Sequence, residues 1–278
     1  MIKYTTRRIL LIIPILLGII FIIMGIMTLI PGSPGLVILG PDAPEEAVDE
    51  LNEKLGYDKP FLNRYITYIS ELLRGNLGDS YRTGRPVLYE VGRRLPTSFK
   101  LAIFGVGVAM LIGIPLGILS SVKQYSKADV FLTTLAMVLN SMPTFWFGLM
   151  LIILFSLKLG MLPSIGLTTP AHYILPVAAL ASYTVIFRHA LGNALLPVIT
   201  YAGMAFGKMV GGVVAVETVF SIDGVGNMVL TAIRNKDVAL VTGGIVCLAS
   251  IYMIVLLFVD ILYAIIDPRV RQKYLNIN

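Results

Sequence analysis

The run VALVTGGIVCLASIYMIVLLFVDILYAII, Val238 to Ile266, decides the fold. Its one charged residue is Asp260, and it exceeds the roughly 20 apolar residues that a helix needs to cross the hydrocarbon core of a bilayer. No water reaches that core, so every backbone N–H and C=O must be satisfied within the segment, which a helix does. Five more runs of the same character precede it: Ile9 to Ile30, Phe99 to Val122, Val130 to Leu157, the shorter Tyr173 to Phe187, and Leu195 to Phe220. The expected fold is all-α, a polytopic membrane protein with six transmembrane helices. Composition agrees, because 56% hydrophobic and 14% charged residues lie well away from the balance of a soluble domain. Ile9 to Ile30 is too long for the apolar region of a secretory signal and no small-x-small cleavage site follows it, so it reads as a retained first span.

Charge placement predicts the orientation. Lys3, Arg7, Arg8, Lys123, Lys127, Arg188, Arg269, Arg271 and Lys273 flank the spans on one side, where the only carboxylates are Asp129 and Asp267. On the other side, Pro31 to Ser98 mixes ten carboxylates with eight Lys and Arg. The positive-inside rule then makes both termini cytoplasmic, and six crossings agree with that. The net charge of +6 follows from topology and anionic headgroups. The basic residues are dispersed along loops and span ends, which speaks against nucleic acid as a partner.

Residues 31–98 form the sizeable aqueous segment, expected to be external and helical. Asp42, Pro44, Glu45 and Glu46 read as a capped helix start and Gly56 as its stop. Pro60 opens a second helix in which Phe61, Tyr65, Ile69 and Leu72 share a face, and Pro86 opens a third reaching Leu95. Two readings are open: a cap on the outer mouth of the bundle, or a dock for an extracellular partner.

Within the spans, the informative residues are those that lipid would reject. Asn140, Ser141 and Pro143 sit halfway along the third span, where Pro143 removes a backbone donor and should kink the helix. They border a translocation path or, for the two polar side chains, bond a neighbouring helix. Lys208, near the middle of the fifth span, and Glu217, near its outer end, are path candidates, because ionisable groups at membrane depth are costly. A snorkelling or paired structural role is the alternative for Lys208, and Asp260 poses the same question. Gly203, Gly207 and Gly211 recur every four residues and expose a bare backbone stripe suited to a close helix interface. The lone Cys247 supports neither a disulfide framework nor a thiolate metal site. The string from Gly203 to Lys208 is one residue short of a phosphate loop and lacks its Ser or Thr, and no nucleophile elbow, zinc motif or metal-ligand cluster occurs. The chain is therefore expected to have no catalytic residues, no metal ligands and no cofactor of its own.

Several strings, read in order, resemble the inner-membrane permease of the dipeptide, oligopeptide and nickel importers of the ATP-binding-cassette superfamily. They are Tyr4 to Arg8, Leu55 to Pro60, Gly75 to Ser80, Arg85 to Val87, Arg94 to Thr97, Ser141 to Trp146, Leu162-Pro163, Ile174 to Pro176, His189 to Pro197, Glu217 to Phe220, Gly224 to Gly226 and Asp267 to Arg269. The resemblance covers residues 1–278 as one permease domain with 31–98 as an external insertion. It implies a second homologous permease subunit, two cytoplasmic ATPase subunits that bind ATP and Mg, an extracytoplasmic solute-binding protein, and a bacterial or archaeal inner membrane. This chain would convert closure of the ATPases into alternating access and import dipeptides or oligopeptides.

One departure from the family stands out. Members carry a cytoplasmic coupling helix between spans four and five, whereas here Phe187-Arg188 runs directly into His189-Ala190. Of the coupling motif only the part from Arg188, His189, Ala190, Leu191, Gly192 and Asn193 to Leu196 and Pro197 remains, and two readings are open: a natural truncation of the lever, or an omission or engineered deletion of the intervening stretch, which the close match of the flanking strings favours. Other functional classes also stay open: a nickel or metal-chelate importer of the same family, a secondary transporter or channel using Lys208 and Glu217 directly, and a non-transporting membrane scaffold.

Overall fold

A computed structural model describes residues 2–182 and 212–266. The fold is helical as far as described: α1 (Ile2–Leu29), α2 (Pro34–Leu39), α3 (Glu45–Lys54), α4 (Phe61–Leu73), α5 (Val87–Val122), α6 (Lys127–Ser141), α7 (Thr144–Leu151), α8 (Ile174–Ser182), α9 (residues 212–219), α10 (Val225–Arg234) and α11 (Val238–Ile266). Three of these helices hold stretches long and apolar enough to cross a membrane: Ile9–Leu29, Val87–Val122 and Val238–Val259. A fourth crossing results if α6 and the stretch Thr144–Lys158 count as one bent span.

The last helix has the bounds expected from its apolar run. Two expectations are corrected. The third external helix and the second span are one element, α5, which continues through Pro96 and Pro115. A proline there forfeits one backbone hydrogen bond, which membrane helices tolerate. Conversely, the third span is broken, because α6 and the helix that follows Pro143 are bent by 104°. Met142, held extended at φ −79° and ψ 133°, has the backbone that a residue before proline prefers. Beyond α7 the helix widens into a π-helical turn, Ile152–Lys158.

The chain divides into two compact units: Ile9–Leu95 with Met228–Ile251, and Met1–Arg8 with Pro96–Asn227 and Tyr252–Asn278. In the first unit, α2 begins with Ser33 accepting from the Leu36 N–H and Pro34 at its first position. Its Gly35 N–H donates to Asn52 Oδ1 at 2.9 Å, and a Cβ on Gly35 would lie 2.7 Å from the Val48 carbonyl oxygen, so only glycine lets α2 and α3 approach this closely. The start of α3 lacks the side-chain cap expected from Asp42, since Pro44 is its N-cap, whereas Gly56 at φ +67° stops it as expected. The inner face of α4 packs on α1, where Phe61, Tyr65, Tyr68 and Leu72 join Leu16, Ile20 and Met24.

The N-terminal end of α11 is pinned to the segment that follows α1 in the same unit. Buried Asp237 accepts from Ser80 Oγ at 2.5 Å and from the Leu240 N–H at 3.1 Å, capping the helix. Its neighbour Lys236 donates to the carbonyls of Ile30 and Gly32. Burial of the Lys236 ammonium lowers its pKa, because desolvation penalises the charged form.

Candidate functional site: a broken span and a buried carboxylate

The second unit gathers sequence strings that lie far apart in the chain. Its core joins Leu101, Ala102 and Ala109 of α5, Leu175 and Leu180 of α8, Val213 and Val216 of α9, and Phe220 and Ile222. At the break in the third span, Thr144 is buried, whereas Asn140 is half-buried and Ser141 and Pro143 are exposed. Ser141 Oγ donates to the Met137 carbonyl at 2.7 Å, a bond within its own helix, and leaves Asn140 as the more available polar side chain. A helix interrupted at membrane depth is tolerated where its free backbone groups meet protein or a water-filled cavity.

What holds the break is the packing of α7. A Cβ on Gly148 would lie 3.1 Å from the Phe220 ring and 3.6 Å from Val219 Cγ1, so the missing side chain lets α7 sit against the C-terminal end of α9. Across from Thr144, a Cβ on Gly212 would meet Thr144 Oγ1 at 3.8 Å and Leu180 Cδ2 at 3.6 Å. The Phe220 carbonyl accepts from the Gly166 N–H at 2.8 Å. Phe220 thereby ties α7, the 160s loop and α9 together.

Glu217 is wholly buried, with no exposed surface. Ser98 Oγ donates to its Oε1 at 2.5 Å, and the Asn227 N–H donates to its Oε2 at 3.0 Å. Ser98 Oγ in turn accepts from the Val225 N–H at 2.9 Å. The first turn of α10 is therefore capped from outside: Ser98 of α5 satisfies its first amide and Glu217 of α9 its third. The adjacent glycines make room, because a Cβ on Gly224 would collide with the Glu217 carboxylate, and one on Gly226 would lie 2.6 Å from Val214 Cα. Glu-Thr-Val-Phe and Gly-Val-Gly thus build one cluster, with Ser98 as its third member. Ser98 carried no sequence signal beyond its place at the edge of an apolar run. Asp237 did have one, an Asp immediately before such a run.

The structure places Glu217 in a structural cap, away from any exposed surface, and puts Asn140, Ser141 and Pro143 at the helix break. Lys208, the stripe Gly203, Gly207 and Gly211, and the coupling residues Arg188, His189, Ala190, Leu191, Gly192, Asn193, Leu196 and Pro197 lie outside the described residues, as does the side chain of Asp260. Cys247, on α11, is partly buried. Among the described residues, no group of three or more His, Cys, Asp or Glu could hold a metal ion.

The described residues form a helical membrane protein whose third apolar span breaks at a polar Asn-Ser-Met-Pro stretch, and similarity to known proteins supplies its class. The model of the binding-protein-dependent transport system inner membrane component matches residues 113–186 and 182–272, and the N-terminal model of the same systems matches 1–102. The chain is 33% identical to the dipeptide transport system permease protein of Alkalihalophilus pseudofirmus, over 98% of this chain and 100% of that one. It is 30% identical to a probable peptide ABC transporter permease of Sinorhizobium fredii, over 96% of this chain and 99% of that one. It is also 30% identical to the glutathione transport system permease protein of Escherichia coli (strain K12), over 98% and 100%. The chain belongs to the inner-membrane permease family of the binding-protein-dependent ABC importers. It is a non-catalytic, multi-pass inner-membrane component that binds no cofactor; ATP is used on the partner ATPase, and a solute-binding protein is the other expected partner class. Membership displaces the secondary-transporter reading.

The alignment to the Alkalihalophilus permease extends over 332 positions although this chain has 278 residues, so gaps open within this chain. The main family match restarts at residues 182–186, beside the Arg188–His189 junction.

Proposed function

We infer that this chain lines the path by which short peptides enter the cell, in a complex with a second homologous permease, two ATPases and a peptide-loaded binding protein. The observation that carries the reading is the break at Met142 and Pro143, which interrupts an apolar span beside the half-buried polar side chain of Asn140 in a chain belonging to an importer family. Lys208 completes the proposed path from the fifth span. Glu217 acts one step removed, by fixing the first turn of α10. The cargo is a dipeptide, a longer peptide or glutathione, as the names of the relatives support; nickel gains no support from them. Six spans with both termini cytoplasmic complete the proposal.

Alternating access requires that closure of the ATPases reach the path. Where Arg188 is bonded directly to His189 with no coupling helix between them, ATPase docking must rely on Lys123 to Lys127, on Arg188 and on the C-terminal tail, and coupling is weak. Affinity purification of the tagged chain from native membranes tests the assembly and the cargo together. The expected result is co-recovery of a second permease, ATPases and a binding protein whose extracted ligand is a peptide. Recovery of the chain alone, or of a binding protein carrying a nickel chelate, overturns the proposal.

A further inference from the structure

The external helix α4 does not stand clear of the first span; it lies along its outer half. Tyr65 Oη donates to the Leu17 carbonyl at 3.1 Å, and Arg64 donates to Thr28 Oγ1 at 2.9 Å. These two anchor points on α1 are about 16 Å apart along the helix axis. Both belong to the stretch Ile9–Leu29, long and apolar enough to cross the bilayer. Ile20 of α1 packs in the same cluster as Val246, which lies within α11. Thr28 lies at the end of that stretch and Leu17 near its middle, so α4 runs alongside the half of the first span that ends at Leu29, at the level of the leaflet there.

Three stripes divide the surface of α4. Phe61, Tyr65, Tyr68 and Leu72 face α1. Beside them, Leu62, Ile66, Ile69 and Leu73 recur at the i, i+4, i+7, i+11 spacing of one helical face, and Leu62, Ile66 and Leu73 are exposed, Leu73 at 83%. Asn63, Thr67, Ser70 and Arg74 repeat the same spacing one residue later, about 100° further around, and are exposed as well. Span one continues the apolar surface. Phe21 is exposed and meets Phe61 and Tyr65 edge to face with centroids 5.1 and 5.3 Å away, and Ile22, Ile26 and Leu29 are exposed beyond it.

We propose that α4 is an amphipathic interfacial helix whose stripe Leu62, Ile66 and Leu73 is seated in the acyl chains of the outer leaflet while Asn63, Thr67 and Ser70 meet headgroups and water. The occupant is lipid because the stripe continues an exposed face of a membrane span, lies at that span's depth, and is bounded on its far side by polar residues, as in helices that lie in the interface plane. The inference rests on α1 being a membrane span and uses no transport readout, so it stands or falls apart from the cargo assignment.

The test is nitroxide accessibility in the assembled transporter in proteoliposomes, with single cysteines introduced in a Cys247→Ala background. Labels at 62, 66 and 73 should collide with oxygen, which partitions into acyl chains, and collide several-fold less with a water-soluble nickel chelate than labels at 63, 67 and 70. Equal chelate access along both stripes, or loss of both collision types at 62, 66 and 73 because a protein partner covers them, overturns the proposal. As a probe without a label, Leu73→Trp in a Trp146→Phe background should be quenched by lipids brominated near the headgroup end of the chain. Absence of quenching contradicts lipid contact.

Discussion

Ser98 Oγ donates to Glu217 Oε1 at 2.5 Å, a bond between residues 119 positions apart that is closed off from solvent. It links α5 to α9, and through the Val225 and Asn227 amides both residues hold the first turn of α10. A hydrogen bond with a charged group contributes about 1.5–3 kcal/mol, and an orphaned buried donor costs about 1–3 kcal/mol.

Glu217→Ala should therefore lower the thermal unfolding midpoint of the purified complex by several degrees, because it strands the Ser98 hydroxyl and the Asn227 N–H together. Glu217→Gln should fall in between: its carbonyl oxygen still serves the Asn227 amide, but its NH2 cannot accept from Ser98. Gly224→Ala should resemble Glu217→Ala, since its methyl collides with the carboxylate. An unchanged midpoint for Glu217→Ala would remove the cap from the account.

At the break in the third span the proline is not the whole cause. Pro14, Pro96 and Pro115 all sit inside continuous helices. The difference at Pro143 is that α7 is anchored beyond it by Gly148 against Phe220 and by Thr144 near Gly212. Spin labels at Phe131 and Leu157 should report the same distance in Pro143→Ala as in the parent, whereas Gly148→Leu should broaden that distance and destabilise by about 1–3 kcal/mol through overpacking. Straightening in Pro143→Ala would show that the ring alone makes the bend.

This contrast also shows what was legible in the sequence. Val238 to Ile266 was read correctly to the residue, because a long apolar run determines a spanning helix by solvent alone. The inner face of α4 was legible in part from its 3.6-residue period: Phe61, Tyr65 and Leu72 face α1 as expected, but Tyr68 takes the place expected for Ile69, which belongs to the neighbouring stripe. The break after Ser141 was foreseen only as a kink, and the merger of Pro86 to Leu95 with the second span was missed, because whether a proline interrupts a helix depends on contacts with distant segments. Ser98 was invisible for the same reason: nothing near it in the chain marks it as the partner of Glu217.

Charge bias predicts that a cysteine at Lys273 is labelled by a membrane-impermeant maleimide in inside-out vesicles and stays unlabelled in intact cells. Labelling from outside would reverse the proposed topology.

The missing coupling segment has its own consequence. ATP-driven dipeptide uptake by the 278-residue chain should be weak or absent, and inserting between Arg188 and His189 the corresponding segment of the Alkalihalophilus permease should raise it. Robust uptake by a chain shown by mass spectrometry to be this short would refute the need for that lever.

The central claim, that peptides pass the broken third span, is tested most directly by site-specific photocrosslinking in the assembled complex supplied with labelled dipeptide on its binding protein. A photoreactive residue replacing Asn140 or Ser141 should capture the labelled dipeptide, in competition with unlabelled peptide, while the same residue at Leu111, exposed on α5, should not. Capture at Leu111 but not at Asn140 or Ser141 would contradict the account.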